Sequence, residues 1–157
     1  MTVYFIGIFT PLKCFDKFIP SLYELIPLEH RHLTLIYLGY IKYLGNTKNF
    51  FIYNIPPIRK FKLFFQGIEP YPSMAKPRYL AAKPDKTSTE RLYDLRTRIL
   101  DCVKSSVVDK YEVFKPHVSI AYTRAKPSLD LIEQVQHVIK ESKSIKESLI
   151  VEKNLVS

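Results

Sequence analysis

The 157-residue chain is poor in glycine, with four, and in cysteine, with two. Four glycines leave no glycine-rich loop of the kind whose backbone amides cradle nucleotide phosphates. Cys14 and Cys102 have neither metal-site spacing nor a disulfide framework. They read as small buried apolar residues of a reducing compartment. Long apolar runs are missing too. Nothing approaches the roughly 20 residues needed to cross a bilayer. The opening run VYFIGIF lacks the basic flank and cleavage site of a secretory leader. No cluster of Asp, Glu, Cys and His has ligand spacing, so neither a metal nor a cofactor is expected. Acidic residues are short relative to basic ones, 15 against 24, which leaves a net charge of +9. These absences lead us to expect a cytoplasmic protein, off the membrane and monomeric.

What remains is globular. Apolar residues make up 46% and charged residues 25%, a composition that can bury a core without staples. The length suits one domain, 1–157, built as two small lobes on a shared core. The basic excess is spread through KYLGNTK, IRKFK and AKPRY. On charge alone, a solvated surface and attraction to a polyanion such as RNA fit equally well. The 11 tyrosines and 10 phenylalanines would suit single-stranded bases, which stack on flat rings. Core packing is the expected use of most of them.

Local pattern gives an order of elements. TVYFIGIF (2–9) reads as a strand. Residues 12–26 carry helical spacing interrupted by Pro20. RHLTLIYLGYI reads as a strand, and FFIYNI, between Gly45 and Lys60, as either a short helix or an edge strand. FKLFFQGI (61–68) and RYLAAK (78–83) are strands around a loop with Pro70, Pro72 and Pro77. A helix is expected from Ser88 to Lys104, capped by Thr87 and Glu90. YEVFKPHVSIAY reads as a strand, the segment after Pro127 as a helix, and SLIVEKNLV as a closing strand. Direct strand–strand connections argue against a doubly wound parallel sheet. The expected class is α+β with mostly antiparallel sheets, with a weak internal duplication.

Two stretches stand out. HLTLIYLG (32–39) and PHVSIAY (116–122) each place a histidine and a hydroxyl two residues apart. Residues i and i+2 of a strand share a face. His32 therefore points with Thr34, and His117 with Ser119, while Leu33, Leu35, Val118 and Ile120 turn the other way. One such pair means little, and most are surface strands. Two copies among four histidines form a joint signal. Two imidazoles across one group can serve as base and acid near neutral pH. Two hydroxyls can hold phosphoryl oxygens. His30 reads as a rim residue and His137 as a surface residue. Tyr40, Tyr71 and Tyr122 are candidates for base stacking but read first as packing. Lys83 and Arg78 read as solvated charges that could also touch RNA at a cleft edge.

These two stretches resemble the paired signatures of the two-histidine phosphoesterase superfamily, and within it the RNA 2′,3′-cyclic phosphodiesterases, also called 2′–5′ RNA ligases. The resemblance runs over the whole chain. It implies a two-lobed fold, with two mostly antiparallel sheets lining a central cleft and helices outside. It also implies metal-independent hydrolysis of RNA-terminal 2′,3′-cyclic phosphate to a 2′-phosphate, with reversible 2′–5′ ligation as the same chemistry backwards. Carried over, His32 and His117 are catalytic, and Thr34 and Ser119 hold the phosphate. Ser119 stands where threonine is commoner. The arginine that often follows the second histidine by five residues is Tyr122 here, with Arg124 two further on. Strand alternation puts both on the face opposite His117 unless a bulge or the strand end re-aims them. The expected partners are RNA ends or small nucleotides. The alternatives are a non-catalytic binding module for RNA ends or cyclic nucleotides, a phosphodiesterase for another small cyclic or 2′,5′-linked nucleotide, and a structural part of a ribonucleoprotein complex.

Overall fold

The computed structural model describes residues 3–40, 58–103, 113–151 and 155–156. The ambiguous FFIYNI lies outside them. The fold is α+β. One half of the sheet comprises β1 (Val3–Phe9), β3 (His32–Tyr40) and the short β8 (Leu155–Val156). The other comprises β4 (Phe61–Tyr71), β5 (Tyr79–Pro84), β6 (Val118–Tyr122) and β7 (Lys146–Val151). The order is β7-β4-β5-β6-β3-β1-β8, and every pairing is antiparallel. Among the described residues, β3 and β6 join the two lobes at the pair Leu33 with Val118. A two-residue strand, β2 (Glu24–Leu25), pairs with the far end of β6.

Helices α1 (Lys86–Val103) and α2 (Leu129–Ser142) cover one face of the sheet. Their apolar stripes, Leu92, Leu95 and Ile99 on α1 and Leu131, Val135 and Val138 on α2, join Ile8, Leu33, Leu63, Phe65, Ile68 and Val118 in one core. Each such side chain contributes on the order of 1.5–3 kcal/mol by leaving water. The opposite face is left for other work.

Several expected boundaries move, each for a local reason. The 12–26 helix shrinks to a 3-10 turn, Lys13–Phe18, and the chain is already extended at Ile19, before Pro20, which has no amide proton to continue a helix. The α1 cap is Asp85, whose carboxylate accepts from the Ser88 amide at 2.8 Å; the helix therefore starts before Thr87. β4 runs on through Pro70 to Tyr71, since Pro70 still pairs with Leu80. β6 begins only at Val118, after Pro116. The tail forms two strands, β7 and β8, rather than one. Ser128 caps α2, accepting from the Leu131 amide at 3.1 Å. Cys14 is half-buried against the core. Burial, with Glu147 beside it, pushes its thiol up to about 12, which suits an inert packing residue. The side chain of Cys102 lies outside the described residues.

One buried charge fixes the approach to β3. Arg31 is 1% exposed. Its Nε donates to the Ile26 carbonyl at 2.8 Å, and its Nη1 to the Pro11 carbonyl at 2.8 Å and to Asp16 at 2.6 Å. The Lys13–Phe18 turn and the loop residues Pro11 and Ile26 are thus tied to the residue immediately before His32.

Candidate active site

The β3–β6 pair, Leu33 with Val118, consists of the residues that directly follow the two histidines. Antiparallel register then sets His32 across from Ser119 and Thr34 across from His117. A local twofold axis passes between them. Leu33 and Val118 are fully buried on the helix side, so the four polar side chains share the open face. Direct neighbours in such a pair sit roughly 4.5–5.5 Å apart at Cβ, and diagonal ones such as His32 and His117 roughly 7–8 Å.

The surroundings of the two rings repeat the symmetry. His32 Nδ1 lies 2.9 Å from the carbonyl of His30, and His117 Nδ1 lies 2.9 Å from the carbonyl of Lys115. A carbonyl can only accept, so each Nδ1 carries its proton and each Nε2 is left for chemistry. Each ring is also stacked. Phe5 lies on His32 with centroids 4.2 Å apart, and Tyr71 on His117 at 3.8 Å, both at 21° between planes. A hydrogen bond and a flat neighbour together hold each imidazole in one orientation.

Backbone irregularities complete the pattern. β3 carries an extra residue at Leu35, between the pairs Gly7–Thr34 and Ile6–Ile36. β6 carries one at Ile120, between the pairs Ala81–Ser119 and Leu80–Ala121. Each bulge falls one residue past the hydroxyl and reverses the alternation beyond it. Tyr37, paired with Phe5, and Tyr122, paired with Tyr79, are thereby turned to the open face with the histidines. This is the condition under which Tyr122 could leave the face opposite His117. Small residues flank both hydroxyls, Gly7 beside Thr34 and Ala81 beside Ser119. A further bulge, at Gly67 with φ of +71°, redirects the end of β4 that carries Tyr71; the left-handed backbone there favours glycine.

The electrostatics break the symmetry. Burial holds the His117 ring below its ordinary value of 6.5, and the charges of Lys83 and His32 push it the same way against the Lys115 carbonyl. Lys83 sits beside His117 on β5 and is itself paired with Glu69 at 2.6 Å. Tyr122 donates its hydroxyl proton to Glu24 of β2, and that bond with the Glu24 charge raises its phenol. The proton is therefore committed away from the pocket. Arg124 is exposed past the end of β6 and close enough to Tyr122 to oppose that rise. Thr34 and Ser119 are half-buried. His30 enters only through its carbonyl, and His137 is exposed on α2. The Tyr40 side chain lies outside the described residues. Among the described residues, no three His, Cys, Asp or Glu side chains gather as a metal site.

Sequence reading missed Phe5, Gly7 and Tyr37, and weighed Tyr71 as packing. The signal for Tyr37 was present. HLTLIY and HVSIAY agree at the sixth position as well as the first and third.

No family model matches the chain, and no curated protein matches it by sequence. Solved structures do match. The protein TT0787 of Thermus thermophilus superposes with a TM-score of 0.61 at 16% identity, covering 96% of this chain and 84% of that one. E. coli LigT complexed with NADP+ gives 0.62 at 14%, covering 94% and 81%. The MHV ns2 PDE domain gives 0.59 at 11%, covering 99% and 97%. All three are members of the two-histidine phosphoesterase superfamily. The chain has the fold that these three structures share. E. coli LigT has also been solved with phosphate and with 3′-AMP. At such identities the likeness carries the fold. The chemistry of this chain has to be argued from its own residues. No described helix is long and apolar enough to cross a membrane.

Proposed function

We propose that the protein hydrolyses the 2′,3′-cyclic phosphate at an RNA end to a 2′-phosphate, without a metal, using His32 and His117 as a proton-transfer pair. The observation that carries this reading is the twofold arrangement of two imidazoles, each with Nδ1 bound to the carbonyl two residues back, around the Leu33–Val118 pair. Both Nε2 atoms are then available to one bound group.

In this reading His117 Nε2 takes a proton from water as the oxygen attacks phosphorus. The P–O3′ bond breaks, and protonated His32 gives its Nε2 proton to the leaving 3′-oxygen. The products are a 2′-phosphate and a free 3′-hydroxyl. Thr34 and Ser119 donate hydrogen bonds to the non-bridging oxygens, where charge gathers. The lowered proton affinity of His117 favours it as the base, since it stays neutral at working pH. Arg124, exposed beyond β6, supplies positive charge at the rim, and Tyr122 braces that rim through Glu24.

The test is incubation with a 2′,3′-cyclic phosphate oligonucleotide in chelator, followed by location of the product phosphate. A 2′-phosphate is expected, and His32→Ala or His117→Ala should each remove turnover by about 10²-fold or more with the fold intact. A substrate whose leaving group needs no proton should rescue only the His32 variant. Near-parent turnover by either variant would sink the proposal.

A further inference from the structure

We propose that the open face of β6-β5-β4-β7 is a track for the single-stranded RNA that leads to the cyclic end; this rests on the reading above. The strand registers lay out the track. Ala82 pairs with Val118, which puts Lys83 beside His117. Phe65 pairs with Pro84 and Ile68 with Ala82, which puts Gln66 beside Lys83. Gln66 in turn pairs with Lys146. One row therefore runs His117, Lys83, Gln66, Lys146 across three strand spacings, about 14 Å at the usual 4.7–4.9 Å each. The next row holds Phe64 and Ser148, and the one after it Lys62 and Ile150.

Phe64 and Ile150 are each 42% exposed, while Leu63, Phe65 and Val151 between them are fully buried on the helix side. The Phe64 position is not loose. Its amide donates to Ser88 Oγ at 2.8 Å, and its carbonyl accepts from the Asp85 amide at 2.8 Å. A solvent-facing ring on a backbone held at both amide and carbonyl forgoes its burial energy and offers a flat platform. Lys62 and Lys146 flank it on the same face, both exposed. Gln66 donates to the Lys143 carbonyl at 3.0 Å, which holds its amide in place with the carbonyl oxygen available to a base edge. A ring between lysines, continuous with the phosphate site, matches the chemistry of single-stranded nucleic acid: bases stack and phosphates meet ammonium groups. The +9 net charge has the sign this requires.

Two measurements separate this inference from the reading it rests on. The first is fluorescence anisotropy with a single-stranded RNA ending in a plain 3′-hydroxyl, which needs no catalysis. Phe64→Ala should weaken binding about tenfold, from the loss of one base stack. Lys62→Gln and Lys146→Gln should each reduce the slope of log affinity against log salt by about 0.7. The second compares kcat/KM for cyclic mononucleotide and for cyclic-ended oligonucleotides of increasing length. The parent should gain with length, and Phe64→Ala should lose that gain while leaving the mononucleotide rate unchanged. Equal RNA binding by parent and Phe64→Ala would assign this face to another partner and overturn the track. Absence of any hydrolysis, with the anisotropy differences intact, would overturn the catalytic reading and leave the track standing.

Discussion

Gly7→Ala is a one-methyl test of how His32 is held. A Cβ built on Gly7 would lie 2.8 Å from the Leu33 carbonyl oxygen and 3.0 and 3.1 Å from two edge carbons of the Phe5 ring. The carbonyl belongs to the β1–β3 ladder, where Ile8 faces Leu33, so it cannot retreat without parting the strands. The Phe5 ring can move, but only by abandoning its place 4.2 Å from the His32 ring. The added methyl therefore strains the ladder and unstacks the imidazole together. Overpacking of this kind costs about 1–3 kcal/mol, which should lower the urea midpoint by on the order of 1 M. A misplacement of about 1 Å at a reacting group costs roughly 10²-fold in rate, so kcat on cyclic phosphate should fall by about that factor. The acid limb of the pH profile, which reports His117, should stay where it is. The double variant with Phe5→Ala separates the two contacts. If the ring carries the effect, Gly7→Ala adds little rate loss once Phe5 is gone, and a residual stability loss measures the Leu33 clash. Parent-like stability and parent-like kcat in Gly7→Ala would refute the reasoning, because no neighbour at those distances can absorb a methyl in silence.

Two further outcomes follow from charges. Asp16→Ala leaves Arg31, 1% exposed, with carbonyl acceptors but no counter-charge among the described residues. The loss should be about 2–3 kcal/mol, at the low end for a broken buried pair because Asp16 itself is 23% exposed, and an unchanged urea midpoint would show that the pair contributes nothing. The His117 shift sets a pH dependence. Above 6.5 both folded and unfolded chains carry the neutral ring; as pH falls below 6.5 the unfolded chain takes up the proton first, so stability is lost until the lower folded value is passed. The acid limb of kcat/KM should likewise fall below 6.5, and Lys83→Gln should move it upward, since Lys83 is one of the charges that depress the ring; a limb that stays put would remove Lys83 from the account.

The sequence carried the site further than it carried its support. The shared face of His32 with Thr34 and of His117 with Ser119 was legible because strand alternation is a short-range rule, and their roles stand as the proposal above. The α+β class and most of the strand runs followed from β-branched and aromatic content. The reading failed where a single local group overrode a longer pattern. Helical spacing over 12–26 gave way to an extended backbone at Ile19, just ahead of Pro20, and Asp85 took the cap from Thr87. The bulges at Leu35 and Ile120 were beyond reach, because an extra residue shows only against the strand it pairs with. Phe5 and Tyr71 were hidden for the same reason: each comes to its imidazole from another strand.

The proposed hydrolysis needs an acid and a base from near-identical parts. Up to the hydroxyl, the two halves match in ring, carbonyl, stack and small neighbour. Past it they diverge. β6 carries Tyr122 bound to Glu24, and β5 sets Lys83 against His117. On the other lobe the strand beside His32 is β1, whose open face offers Phe5, Gly7 and Phe9 and no charge. A twofold motif alone would give two equivalent imidazoles and no preferred direction of proton flow. The neighbouring strands make His117 the poorer proton carrier, and in the proposed hydrolysis that inequality would give proton flow its direction.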